Sequence, residues 1–222
     1  MDNNENKNII DAIKQHKIIA IFRKVPLDSV IDAAQALYDG GIRLIEVTFD
    51  QSNPTNHENT TQAISMLCET FGSKLFVGAG TVMTEQQLTL AHKAGAKYII
   101  SPDANSEIIK KTKQLGLVSI PGALTPTESA MAYNSGADFV KLFPAGELGL
   151  KYAKAVRAPL NHIPFLAVGG VYTNNLIDFL DAGFYGVGLG SSLVNLEYIK
   201  LGKFDKLTNV AHEYVKIVND YI

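Results

Sequence analysis

The sequence predicts an α/β protein, a single (β/α)8 TIM barrel over residues 1–222 with one extra helix at its N-terminus. Three observations carry this reading. Short β-branched or aromatic runs recur eight times along the chain, helical patterns separate them, and the glycine-rich strand ends come late. The runs are near-continuous in hydrophobicity, as expected of parallel strands covered on both faces. A doubly wound open sheet is the rival, but its phosphate glycines belong early in the chain.

In chain order, "NIIDAIKQHK" (8–17) reads as the extra helix, placed either as a plug for the barrel bottom or outside it. "IIAIF" (18–22) is the first strand, and "DSVIDAAQALYDG" (28–40) the helix that follows it. "IRLIEVTF" (42–49) is the second strand, and the polar "DQSNPTNHENTTQ" (50–62) reads as a loop on the active face. "KLFVGAG" (74–80) leads to a helix in "TEQQLTLAHKAGA" (84–96), then come "KYIIS" (97–101) and "LVSIPG" (117–122). The last three strands are "DFVKLF" (138–143), "PFLAVGG" (164–170) and "YGVGLG" (185–190), with a helix expected to begin at Ser191. Gly41, Gly95, Gly116, Gly136 and Gly183 stand just before strands, where glycine ends a helix in the left-handed conformation at little cost. Thr84, Thr125 and Thr173 are expected to cap helix starts, with Pro126 in a first helical position.

Composition narrows the function classes. With 46% hydrophobic residues and a net charge of −2, the chain buries a large core and lacks the basic face of a general nucleic-acid binder. One cysteine, Cys68, excludes a disulfide framework and fits a reducing cytoplasm. The polar, acidic start "MDNNENKN" does not resemble a signal peptide, and no apolar run approaches a membrane span. His16, His57, His92, His162 and His212 form no ligand pattern, so no metal is expected.

Position along the strands separates ordinary charges from chemical ones, because such barrels place their chemistry at the C-terminal strand ends. Lys17, Arg43, Lys74 and Lys97 fall at strand starts and read as structural. Lys141 and Glu46 fall inside apolar runs, and Arg23 follows the first strand directly. Alternation puts Phe139, Lys141 and Phe143 on one face of the sixth strand, and Leu44, Glu46 and Thr48 on one face of the second. The opposite faces are aliphatic and suit the outer helices, so Lys141 and Glu46 are expected to point into one cavity from opposite walls.

Such a pair is either a structural ion pair or a catalytic one. Burial disfavours an ammonium by up to 3–5 pKa units, each about 1.4 kcal/mol, which is large beside a stability of roughly 5–15 kcal/mol. A neutral amine in a dry pocket is what Schiff-base chemistry with a ketone requires, and a carboxylate such as Glu46 moves the protons. The catalytic reading is therefore favoured.

"AVGGV" (167–171) and "GLGSSL" (188–193) close the seventh and eighth strands, where these barrels bind phosphate through backbone N–H groups. Gly169, Gly170, Gly190 and Ser191 are the candidates, supported by the positive end of the helix expected at Ser191. Thr81, in "GAGTV" (78–82), offers a hydroxyl at the cavity mouth.

In order, "LIEVTF", "GAGTV", "ISP", "IPG", "FVKLFPA", "AVGGV" and "GLGSSL" resemble the 2-keto-3-deoxy-6-phosphogluconate (KDPG) / 4-hydroxy-2-oxoglutarate (KHG) aldolase family. The resemblance implies a metal-free class I aldolase needing no cofactor, commonly a homotrimer. It would cleave KDPG or its galactonate epimer to pyruvate and glyceraldehyde 3-phosphate, and 4-hydroxy-2-oxoglutarate to pyruvate and glyoxylate. It gives Lys141 the Schiff-base role and Glu46 the acid–base role. Thr81, Pro102 and Phe143 become pocket residues, and Gly169, Gly170, Gly190 and Ser191 the phosphate cradle. Several members carry arginine where this chain has Asp50, which would repel the substrate carboxylate, so Arg23 is the expected substitute. Valine at position 168, rather than threonine, resembles the galactonate-type members. A non-catalytic phosphosugar-binding barrel and a metal-dependent sugar-phosphate epimerase are the alternatives.

Overall fold

In a computed structural model of the chain, residues 3–53 and 57–221 are described. Nine parallel strand segments make one sheet: β1 (Ile18–Phe22), β2 (Leu44–Thr48), β3 (Phe76–Gly80), β4 (Tyr98–Ile100), β5 (Val118–Ile120), β6 (Gly122–Ala123), β7 (Val140–Leu142), β8 (Phe165–Val168) and β9 (Gly186–Leu189). Their lateral order is β5-β4-β3-β2-β1-β9-β8-β7-β6. The two outermost segments, β5 and β6, are separated in the chain by Pro121 alone. The sheet therefore returns on itself as a barrel, which excludes the open doubly wound arrangement.

The ninth segment is half of the fifth expected strand. Pro121 has no N–H and interrupts the ladder, so β5 pairs with β4 and β6 pairs with β7. Its carbonyl still accepts from the Lys141 backbone N–H at 2.8 Å, which holds the two halves to the β7 side of the ring.

Helices alternate with the strands: α1 (Asn3–His16), α2 (Val30–Asp39), α3 (His57–Phe71), α4 (Glu85–Lys93), α5 (Ser106–Gln114), α6 (Pro126–Asn134), α7 (Gly149–Arg157), α8 (Leu176–Asp181), α9 (Leu196–Lys200) and α10 (Phe204–Tyr221). The expected caps are present at Thr84, which accepts from the Gln87 N–H, and at Thr125, which forms a capping box with Glu128 behind Pro126. Gly41, Gly95, Gly116, Gly136 and Gly183 all take positive φ.

Three boundaries differ from the sequence reading. α8 starts at Leu176 behind Asn175, so Thr173 caps nothing. The polar segment expected to be loop through residue 62 enters α3 at His57, and its residues 54–56 lie outside the described chain. Ser191 begins a turn closed on the Gly190 carbonyl by the Leu193 and Val194 N–H groups, and α9 starts only at Leu196 under an Asn195 cap.

The sheet divides two apolar cores. Outward-facing Ala20, Phe22, Ile45, Val47, Val77, Val140 and Leu142 pack against the helices. Inward-facing Ile19, Leu44, Tyr98, Val118, Phe139 and Leu166 fill the lower barrel together with Ile9 and Ile13 of α1. α1 thus plugs the bottom, and each buried isoleucine contributes about 1.5–3 kcal/mol. This floor leaves the upper barrel as the place for chemistry. No described helix is long and apolar enough to cross a membrane.

Candidate active site

Lys141 and Glu46 both point inward, as alternation requires: Val140 and Leu142 belong to the outer core while Phe139 belongs to the inner one. The register places Glu46 beside Ile21 of β1 and Gly78 of β3, and Lys141 beside Gly122 of β6 and Leu166 of β8. Lys141 is 5% exposed and Glu46 2%. Among the described residues no ion pair within 4 Å joins them, and neither side chain makes a hydrogen bond. Instead the Lys141 Nζ lies 4.8 Å from the centroid of the Phe143 ring.

That geometry separates the two readings of the pair. A structural bridge would place both charges in contact and satisfy their remaining hydrogen-bond sites. Here burial dominates: it pushes the Lys141 amine below the ordinary lysine range against the attraction of Glu46, with Arg23 adding a smaller push downward. Burial likewise raises the Glu46 carboxyl, opposed by Lys141 and then Arg23. Both groups are driven toward their neutral forms, and they feel one another across the cavity. A neutral amine near a carboxyl that can hold and release a proton is the equipment of carbonyl addition.

Two glycines of β3 make room for this layer. A Cβ on Gly80 would stand 1.7 Å from Glu46 Oε1, and one on Gly78 would stand 2.2 Å from the Tyr98 ring. Tyr98 in turn donates to the Ile45 carbonyl at 2.7 Å and forms the floor beneath the carboxyl. Gly80→Ala is therefore expected to displace Glu46, lower kcat as severely as losing the carboxyl itself, and cost about 1–3 kcal/mol of stability. Steady-state rates and thermal melts of the purified variant measure both.

Two cavities open at this end of the barrel; Lys141 lines the smaller, and Glu46 lines neither. The one of about 460 Å³ holds Lys141, Phe143, Gly169, Gly170, Gly190 and Ser191 together with Ile21, Val168 and Tyr172. The larger, about 630 Å³, lies over β1 and β2 and takes in Thr48, Asp50 and Thr81. The smaller is the catalytic candidate because it contains the amine. Arg23 and Lys24 line both and stand where the two meet. Asp50 accepts from the Ser52 N–H and hydroxyl, and these bonds hold its carboxyl below the usual carboxylate range. It stays anionic at the mouth, leaving Arg23 and Lys24 as the cations there. Pro102 lines neither cavity and instead leans on Gly122, where a Cβ would stand 2.4 Å from the Pro102 carbonyl oxygen.

The cradle at the ends of β8 and β9 is built from backbone. Gly169 and Gly170 have φ of 84° and 70°, a conformation that turns successive N–H groups toward one side. Among the described residues, the N–H groups of Gly170, Val171, Ser191 and Ser192 donate to no acceptor in the protein. With Ser191 in a turn, these N–H groups rather than a helix terminus supply the positive potential. Gly146 completes the cradle's wall: its N–H donates to the Gly169 carbonyl at 2.7 Å, and a Cβ there would stand 2.1 Å from the Gly170 oxygen.

Lys24 and Tyr172 line the smaller cavity and Gly146 backs its glycines, and the sequence reading singled out none of the three. Lys24 beside Arg23 was a usable signal; Gly146 and Tyr172 had none beyond proximity to marked motifs.

The family model "KDPG and KHG aldolase" matches residues 9–210. The chain is 35% identical to the 2-dehydro-3-deoxy-6-phosphogalactonate aldolase of Escherichia coli, over 79% of this chain and 83% of that protein. It is 30% identical to the 2-dehydro-3-deoxy-phosphogluconate aldolase of Treponema pallidum, over 95% and 97% of the two chains. Among solved structures, KDPG aldolase of Legionella pneumophila, with pyruvate captured as a covalent carbinolamine, superposes with a TM-score of 0.82 at 27% identity, covering 91% of this chain and 96% of that one.

Proposed function

The chain belongs to the KDPG and KHG aldolase family, and on that premise we propose that it is a class I aldolase whose Schiff-base residue is Lys141 and whose acid–base residue is Glu46. The observation that carries this reading is the dry, unpaired Lys141 amine facing the Glu46 carboxyl. The substrate class is a 2-keto-3-deoxy-6-phosphosugar acid, cleaved to pyruvate and glyceraldehyde 3-phosphate.

Neutral Lys141 Nζ adds to the C2 ketone, and Glu46 delivers and removes the protons of carbinolamine formation and dehydration. The iminium formed withdraws electrons, so the C3–C4 bond breaks as the C4 hydroxyl gives up its proton. The aldehyde product leaves with its phosphate from the N–H cradle of Gly170, Val171, Ser191 and Ser192. The remaining enamine takes a proton at C3, and water then releases pyruvate and restores the amine. Arg23 holds the substrate carboxylate, Phe143 packs beside the Schiff base, and Thr81 faces the mouth. Gly169 and Gly190 let the phosphate approach the backbone. Pro102, which follows β4, is carried over as a pocket position by the family resemblance.

Of the two C4 epimers we assign the galactonate form. Val168 lies on the wall of the catalytic cavity and offers no hydroxyl to the substrate, and the Escherichia coli relative is named for that epimer. A lactate-dehydrogenase-coupled pyruvate assay with both epimers tests this: kcat/KM is expected to be higher for the galactonate form, and a clear preference for KDPG contradicts it. 4-Hydroxy-2-oxoglutarate, which has no phosphate for the cradle, is expected to be cleaved less efficiently. Binding without turnover of either epimer would favour a phosphosugar-binding barrel, and loss of activity with chelator an epimerase-like metal enzyme. The working form is assigned as a cytoplasmic homotrimer of one-domain subunits, which light scattering measures directly.

A further inference from the structure

Gln87 of α4 is an uncharged polar residue that is only 1% exposed. Its amide is fully used. Oε1 accepts from the Met83 backbone N–H at 2.8 Å, and Nε2 lies 3.1 Å from Gln51 Oε1 and 3.1 Å from His57 Nε2. Gln51 Nε2 continues the chain by donating to the Thr81 carbonyl at 2.7 Å. The Met83 N–H can only donate, so it fixes which end of the Gln87 amide is oxygen. The nitrogen must then donate to Gln51 Oε1, and Gln51 must present its own nitrogen to Thr81. One backbone group thereby sets the direction of every bond in the circuit.

The circuit ends on an unusual backbone. Thr81 has φ of 55°, the left-handed region, where a β-branched residue is disfavoured. Such a conformation persists only where the surroundings hold it. Thr81 follows Gly80, whose missing side chain makes the space for Glu46, and it shares the larger cavity with Arg23, Asp50 and Gln51. The turn therefore sits between the acid–base carboxyl and the cationic mouth.

We infer that Gln87 is a positioning residue for the aldol reaction, holding the Thr81 turn and the loop after β2 in register through Gln51. This rests on the function proposed above. Gln87 touches no substrate and acts only through these two loops.

The test uses Gln87→Glu, which keeps an acceptor for Met83 but loses the donor to Gln51, and Gln51→Leu, which cuts the same link at an exposed position. Each is expected to raise KM for the cleaved sugar acid by about three- to tenfold, the range lost with one or two hydrogen bonds, with kcat within about twofold. In the double variant the two effects are expected to be less than additive, because both changes break the Gln87–Gln51 bond while each also breaks one of its own, to His57 and to Thr81. Should Gln87→Glu fold poorly, Gln51→Leu alone decides the matter, and hydrogen exchange in the peptides carrying residues 50–53 and 81–83 is expected to rise in it. Unchanged KM and exchange in Gln51→Leu, or additive effects in the double variant, overturn the inference. Absence of turnover and of pyruvate labelling in the parent protein would instead overturn the proposed function; the positioning role falls with it, while the exchange measurement still reports whether the link exists.

Discussion

Lys141→Met is expected to abolish aldol cleavage, lowering kcat by about 10⁴-fold or more, while the protein still folds and melts at or above the parent's temperature. The first half follows from chemistry: methionine carries no nucleophile, and no other lysine shares the catalytic cavity except Lys24, which stands at its mouth. The second half follows from burial. Lys141 is 5% exposed with no carboxylate in contact, so the parent holds an amine where an apolar chain of similar length packs without desolvation cost.

The same variant carries a pH signature. Burial holds the folded Lys141 below the ordinary lysine range. Between that lowered value and the ordinary one, the unfolded chain binds a proton that the folded chain does not, so parent stability rises with pH through this window. Lys141→Met removes that slope. Melting temperatures of parent and variant compared from neutral to alkaline pH measure it, and parallel curves would contradict a desolvated amine. Lys141→Arg is expected to be equally inactive, since a guanidinium stays protonated at any working pH.

Glu46→Gln is expected to lower kcat by about 10²–10⁴-fold, the range of a lost general acid–base. The amide has the carboxyl's shape and fits the space beside Gly80, so packing is preserved. The electrostatic consequence runs the other way. The Glu46 carboxylate raises the Lys141 pKa, so its removal leaves the amine neutral at lower pH. The acidic limb of kcat/KM is therefore expected to shift to lower pH even as the plateau falls. A slow enzyme with a readier nucleophile isolates proton transfer as the function of Glu46. An unchanged plateau would assign it to structure alone.

Much of this site was readable before any fold was known. Period-two alternation was enough to turn Lys141 and Glu46 inward, because the opposite faces of both strands are aliphatic and one buried face fixes register. The cradle glycines were legible because only positive φ and close approach explain paired glycines at two late strand ends. What escaped depends on contacts between distant segments. Pro121 in "IPG" is itself a local sign of a ladder break, but that its two sides pair with opposite neighbours and close the ring depends on β4 and β7. "SSLVNLE" reads as a helix from Ser191, yet Asn195 captures the Glu197 and Tyr198 N–H groups and the helix starts five residues later, at Leu196. Gln87 looks like a solvent-facing helix residue until the loop after β2 folds over it. The place of Pro102 rests on resemblance, and what the fold adds is that Gly122 leaves room for its carbonyl.

The proposed reaction begins with attack of one buried amine, Lys141, on the keto group. Incubation of the protein with pyruvate and borohydride, followed by peptide mass analysis, reports that attack as a trapped adduct. The reduced pyruvyl adduct is expected on the peptide carrying Lys141, and its yield is expected to fall in Glu46→Gln. An adduct on another lysine, or none with Lys141 intact, would contradict the claim.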